Sequence, residues 1–116
     1  MVSIAALILE IRIEHAQSLK DKRQVLKSLK DRLRSRFNVS VAETDFQGQW
    51  QLAELAVVTV ASSRRIAENT MLRVEQMAAD HLTGGLLRAN LEWVDYPAMG
   101  EGRQLRGADA LRAELS

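Results

Sequence analysis

Residues 3–14 alternate, with Leu7, Leu9, Ile11 and Ile13 in one phase and Ile8, Glu10, Arg12 and Glu14 in the other. A period of two with one charged face predicts a strand half covered by a core. From Ser18 to Phe37 the period lengthens. At the helical spacing, Leu19, Leu26, Leu29, Leu33 and Phe37 fall on one stripe, which must lie on a sheet. Ser18, with Asp21 three residues on, predicts a capped start, and Asn38 a left-handed close. Val39, Val41 and Glu43 then alternate with Ser40, Ala42 and Thr44 in a second strand. Residues 45–49 read as a hairpin turn in which Gly48 supplies the positive φ.

The next strand, 52–61, is almost continuously apolar, as expected of a central strand. Ser62 or Ser63 caps a second helix over 63–82, its inner face formed by Ile66, Thr70, Val74 and Met77 with Ala67, Ala78 and His81. Thr83-Gly84-Gly85 ends it, because glycine tolerates a left-handed cap. A last strand over 86–96 places Leu87, Ala89, Leu91 and Trp93 on one side, and Pro97 stops it. The order β-α-β-β-α-β predicts an α+β, ferredoxin-like sandwich: a four-stranded antiparallel sheet with two helices on one face. The domain is expected over 1–96. Residues 97–116 read as a mobile or partly helical C-terminal tail.

A length of 116 residues suits one domain with a modest core. The absence of cysteine removes disulfides, thiolate nucleophiles and cysteine-ligated metal sites. No basic residue precedes the first apolar run, and Glu10 and Arg12 interrupt it, so it reads as a strand and not a signal peptide. No run approaches the roughly 18 apolar residues of a membrane span. A cytoplasmic protein without membrane contact is therefore expected.

Charge changes the picture more. The formal net charge is +1, yet Ser18–Phe37 carries eight of the sixteen Lys+Arg against only Asp21 and Asp31, a local charge of +6. Lys20, Arg23, Lys27, Lys30 and Arg34 form a row beside the leucine stripe; Arg32 and Arg36 lie beyond its other edge, and Asp31 faces outward with Gln24, Ser28 and Ser35. From Lys20 to Arg34 a helix rises about 21 Å, enough to face several phosphates of a structured RNA. The expectation is a non-enzymatic accessory protein that binds structured RNA, plausibly ribosomal, through those five cations; the plain alternative is a solvated helix face. Single-strand stacking on the sheet would need aromatics on the central strands, and 3–14 and 52–61 contain none.

Other chemistry is sparse. His15 and His81 have no partner at metal-ligand spacing, and His81, near a helix C-terminus, reads as structural with its imidazolium mildly favoured. The segment after the first strand lacks the glycine-bracketed phosphate loop of an acylphosphatase, and no nucleophile elbow or dinucleotide fingerprint occurs. No catalytic residue, cofactor or metal is expected. Trp50, beside the hairpin turn, is expected to fold back over the sheet edge, with a partner-anchoring role as the alternative. Ala6, Ile8, Ala56, Val58, Val60, Val94 and Tyr96 should project from the open sheet face among Glu10, Arg12, Glu54, Arg88 and Glu92. That mixture suits a homodimer contact, with cover by the C-terminal tail as the plain alternative. The rival to RNA binding is a homodimeric protein-interaction or small-ligand module acting through this face.

Ser18-Leu19-Lys20-Asp21-Lys22-Arg23, Arg32-Leu33-Arg34 and Phe37-Asn38-Val39-Ser40-Val41-Ala42-Glu43, with Gln47 and Trp50 downstream, resemble the YlxP-like family of small bacterial proteins. The resemblance spans roughly 1–96 and is most specific through 18–50. It implies a ferredoxin-like fold and, because the family's genes often neighbour those for ribosome maturation and translation initiation, a ribosome-linked task. The family's role is not settled and it offers no catalytic residues to carry over. This chain departs from it at Gly48, where the family has Asp, and in its more uniformly apolar third strand.

Overall fold

A computed structural model describes residues 1–94 and Gly102. The elements are β1 (Ser3–Arg12), α1 (Leu19–Arg36), β2 (Ser40–Asp45), β3 (Leu52–Ala61), α2 (Arg64–Leu82) and β4 (Leu86–Val94). They form one antiparallel sheet in the order β2-β3-β1-β4, with both helices packed on one face. This is the ferredoxin-like α+β arrangement. The residues expected to form a tail, 97–116, lie outside those described apart from Gly102, as does Tyr96.

The alternation in β1 sets the core. Ala5, Leu7, Leu9 and Ile11 are buried beneath the helices, opposite Ala53, Leu55 and Val57 of β3. Leu26, Leu29 and Leu33 of α1 and Ala67, Met71, Val74 and Ala78 of α2 close the layer above them. Thr59, the buried polar residue of β3, donates from Oγ1 to the Asn38 carbonyl at 2.8 Å.

Both helices start as predicted. Ser18 Oγ accepts from Asp21 N and Asp21 Oδ2 accepts from Gln17 N, while Ser63 Oγ accepts from Ile66 N. Several details differ. The inner face of α2 uses Met71 and leaves Ile66 exposed, because the helix is rotated relative to the expected stripe. A bulge between Glu10 and Ile11 shifts the β4 register, so Leu86 packs on the core and Leu87 faces solvent. α1 closes on Phe37 in extended backbone, not on a left-handed Asn38. In the hairpin, the positive φ belongs to Phe46 (63°) and not to Gly48.

Two glycines after α2 have separate tasks. Thr83 takes the left-handed cap and Gly84 follows at φ 88°, which favours glycine. Gly85 sits against β1: its carbonyl accepts from Arg12 N at 2.7 Å, and a Cβ there would collide with the Arg12 carbonyl oxygen.

Candidate nucleic-acid interface

The seam of α1 holds a cation that the leucine pattern conceals. Lys22, only 1% exposed, lies one turn before Leu26 on the buried face. Its Nζ donates to the Phe46 carbonyl at 2.6 Å and the Gln49 carbonyl at 2.8 Å, and lies 2.9 Å from Glu43 Oε2. Two carbonyls take hydrogen bonds from the ammonium and the carboxylate oxygen pairs with its charge. Glu43 Oε2 is buried and has no aligned hydrogen bond, so the neighbouring charge, more than a directed bond, compensates it. Lys22 therefore pins α1 to the β2–β3 turn, and Phe46 holds its left-handed backbone with its carbonyl turned to this ammonium. The signals were a lysine in the centre of an apolar stripe and a glutamate in phase with Val39 and Val41 on the next strand.

The five-cation row runs along the β2 side of α1, but its members are not equivalent. Lys27 Nζ donates to Asp31 Oδ2 at 2.8 Å across one helical turn. Asp31's carboxyl is held below its ordinary value by that hydrogen bond first, which outweighs an opposing desolvation, and then by the charges of Lys27, Arg34 and Lys30. The aspartate expected to face away thus compensates part of the row. Arg34 Nη2 donates to the Val41 carbonyl of β2 at 2.8 Å, which ties it to the sheet. Lys20, Arg23 and Lys30 form no ion pair among the described residues.

On the other flank, Arg32 and Arg36 of α1 face Arg73 of α2 across a cleft of ≈ 430 Å³ that also contacts Phe37, Gln76, Met77 and Asp80. The Arg73 guanidinium stacks 5.4 Å over the Phe37 ring. A second hollow, ≈ 710 Å³, lies at the end of α2 among Arg12, Glu14, His15, His81 and the Gly84-Gly85 turn. His81 is harder to protonate than a free imidazole, chiefly through burial and then through the charge of Arg32. This reverses the imidazolium expected from its place near the helix end. No group of three or more metal-ligating side chains occurs among the described residues.

The open sheet face carries Ile4, Ala6, Ile8, Ala56, Val58 and Val60, with Val60 53% exposed. Glu10 and Glu54 lie directly opposite each other at its charged end, with Arg88 Nε 3.9 Å from Glu10. Trp50 keeps 53% of its surface exposed, so it does not bury itself over the sheet edge as expected. No described helix is long and apolar enough to cross a membrane.

These features define a ferredoxin-like α+β protein whose α1 is cationic on both flanks. The chain belongs to the family described as "Protein of unknown function (DUF503)", which matches residues 4–90, three quarters of its length. It is 42% identical over 65 residues to the uncharacterized protein YlxP of Bacillus subtilis (strain 168), covering 56% of this chain and 71% of that one. It is also similar in fold to two designed proteins. For Foldit4 the TM-score is 0.52 at 10% identity, over 82% of this chain and 98% of that one. For LFR1, designed with a ferredoxin fold, it is 0.49 at 13% identity, over 92% and 96%.

Proposed function

We propose that this protein is a non-enzymatic accessory factor that docks on the backbone of structured RNA, plausibly ribosomal, through the β2 side of α1. The observation that carries this reading is the row itself: five cations on one flank, with Asp31 the sole acid bonded to it and Lys20, Arg23 and Lys30 without ion pairs among the described residues. Lys20, Arg23 and Lys30 make the phosphate contacts. Lys27 is held back from the phosphates by its pairing with Asp31, and Arg34 anchors the helix. Contacts of this kind position a protein on a nucleic acid without reading bases.

Three phosphate contacts imply a log–log salt slope of about −2.7, so a fourfold rise in salt weakens binding roughly 40-fold. Filter binding to ribosomal RNA measures this. Wild type should show that dependence, and the triple variant Lys20→Glu/Arg23→Glu/Lys30→Glu should lose both the affinity and the slope. Binding indifferent to salt, or unchanged in the triple variant, refutes the reading.

A second reading rests on the sheet face, where Val58 and Val60 are solvent-exposed beside Ile4, Ala6, Ile8 and Ala56. A homodimer would bury this patch and set Arg88 or Arg12 against the partner copy's carboxylates. Sedimentation should then show a dimer at micromolar concentration that Val60→Lys dissociates. A monomer throughout refutes it.

A further inference from the structure

The cleft between the C-terminal half of α1 and α2 is electrostatically unfinished. Arg32 and Arg36 are like charges one turn apart, a spacing that destabilises a helix by itself. Arg73 faces them from α2, and the three arginines line one concave space of ≈ 430 Å³. None of them forms an ion pair among the described residues. Asp80, the one carboxylate lining the cleft, is engaged instead by Gln76, whose Nε2 donates to Oδ1 at 3.0 Å. Stacking on Phe37 holds Arg73 in place, so one fork is presented in advance of any ligand. Nearby His81 is disfavoured as an imidazolium by burial first and then by the charge of Arg32.

Convergence separates this cleft from the row on the opposite flank. A line of cations suits a run of backbone charges, whereas three arginines lining one hollow suit a single, multiply charged, tetrahedral group. Guanidiniums bind such a group through paired, parallel hydrogen bonds.

We infer that the cleft formed by Arg32, Arg36 and Arg73 is a binding site for a phosphomonoester dianion. Its existence does not depend on the RNA reading above. The group arrives on a small phosphorylated molecule or as the terminal phosphate of an RNA end, and the chemistry recognised is the same.

The test is a titration of the intact protein with inorganic phosphate at constant ionic strength, followed through the arginine side-chain resonances. Arg32, Arg36 and Arg73 should shift saturably while Arg23 does not. Arg36→Gln and Arg73→Gln should each weaken the apparent affinity about tenfold, the loss expected for one charge-assisted contact. Lys20→Glu/Arg23→Glu should leave phosphate affinity unchanged, which keeps this result distinguishable from failure of the RNA reading. Tighter binding of a 5′-phosphorylated than a 5′-hydroxyl oligonucleotide, lost in Arg73→Gln, supports the site and assigns the group to an RNA end. Equal binding of the two oligonucleotides alongside saturable free phosphate supports it with a small molecule as the source. Absence of saturation, or the same affinity in both glutamine variants when their spectra report a folded protein, overturns the site.

Discussion

Replacing Lys22 by methionine keeps the four-atom stem of the side chain and removes its ammonium. Lys22 is 1% exposed, and its ammonium serves two carbonyls and a carboxylate. Its loss leaves Glu43 Oε2 buried without a compensating charge and deprives the Phe46 and Gln49 carbonyls of a donor. Removing one partner of a buried pair costs about 3–5 kcal/mol, because the surviving charge keeps its desolvation penalty. The Glu43 side chain is 23% exposed, so water recovers part of this and the lower end applies, about 3 kcal/mol. For a domain of this size that is a fall in melting temperature of about 12–24 °C.

Urea denaturation followed by circular dichroism measures the loss. The double variant Lys22→Met/Glu43→Leu discriminates the cause, since replacing both members of a buried pair with apolar groups is often close to neutral. It should recover a large part of what the single variant loses. If Lys22→Met costs less than about 1 kcal/mol, or if the second substitution adds to the damage, the ammonium is not what holds the turn. Hairpin dynamics give a second readout: amides of 45–50 should exchange faster in Lys22→Met while those of β1 remain protected.

Three further outcomes are expected. His81 has a folded-state pKa below its unfolded value, so its contribution to stability is complete above about pH 6.5 and declines as pH falls from there through the depressed folded value. Proton NMR should place the His81 midpoint beneath that of a free imidazole, with Arg32→Gln raising it; no movement in that variant refutes the role given to Arg32, in a hollow also flanked by Arg12, Glu14 and His15. Gly85→Ala should destabilise by about 1–3 kcal/mol through its collision with the Arg12 carbonyl, and Gly84→Ala by about 1 kcal/mol through its φ alone, since open space surrounds it. Equal thermal melts for the two would refute the close approach. Asp31→Asn releases Lys27, so RNA affinity should rise and the salt slope steepen by about 0.9; a weaker complex in filter binding refutes the assignment of Lys27 to that face.

The architecture was legible because each element buries one face. Period two in β1, period 3.6 through Leu26, Leu29 and Leu33, and serine caps at both helix starts all point to the same sandwich. What escaped was set between elements. Leu87 and Leu86 exchange roles through a bulge opposite Glu10, which leaves no local mark on β4. Lys22 reads in the sequence as one more of the eight cations of α1, although its phase is that of the leucines. Glu43, equally anomalous beside Val39 and Val41, was the matching half of the pair. Two opposite charges in core phase on adjacent elements can be paired from sequence. The cleft arginines are different, because only the approach of α2 brings Arg73 to Arg32 and Arg36.

The polar contacts of α1 also explain how a charged flank stays fixed on a protein this small. Arg34 binds the Val41 carbonyl near the C-terminal end of α1, and Lys22 binds the β2–β3 turn near its start. Both ties end on the edge-strand hairpin. An edge strand gains sheet hydrogen bonds from one neighbour alone, here β3, so β2 depends on contacts from the helix layer for the rest of its support. Holding it by two cations spaced along α1 fixes the helix against rolling about its axis, which apolar packing alone resists weakly because it is not directional. The consequence is geometric: Lys20, Arg23 and Lys30 keep a constant orientation relative to the hairpin tip and to exposed Trp50. Under the proposed RNA reading, a polyanion lying along α1 would meet a surface arranged before it arrives, and loosening Lys22 should weaken that binding even though the side chain is buried.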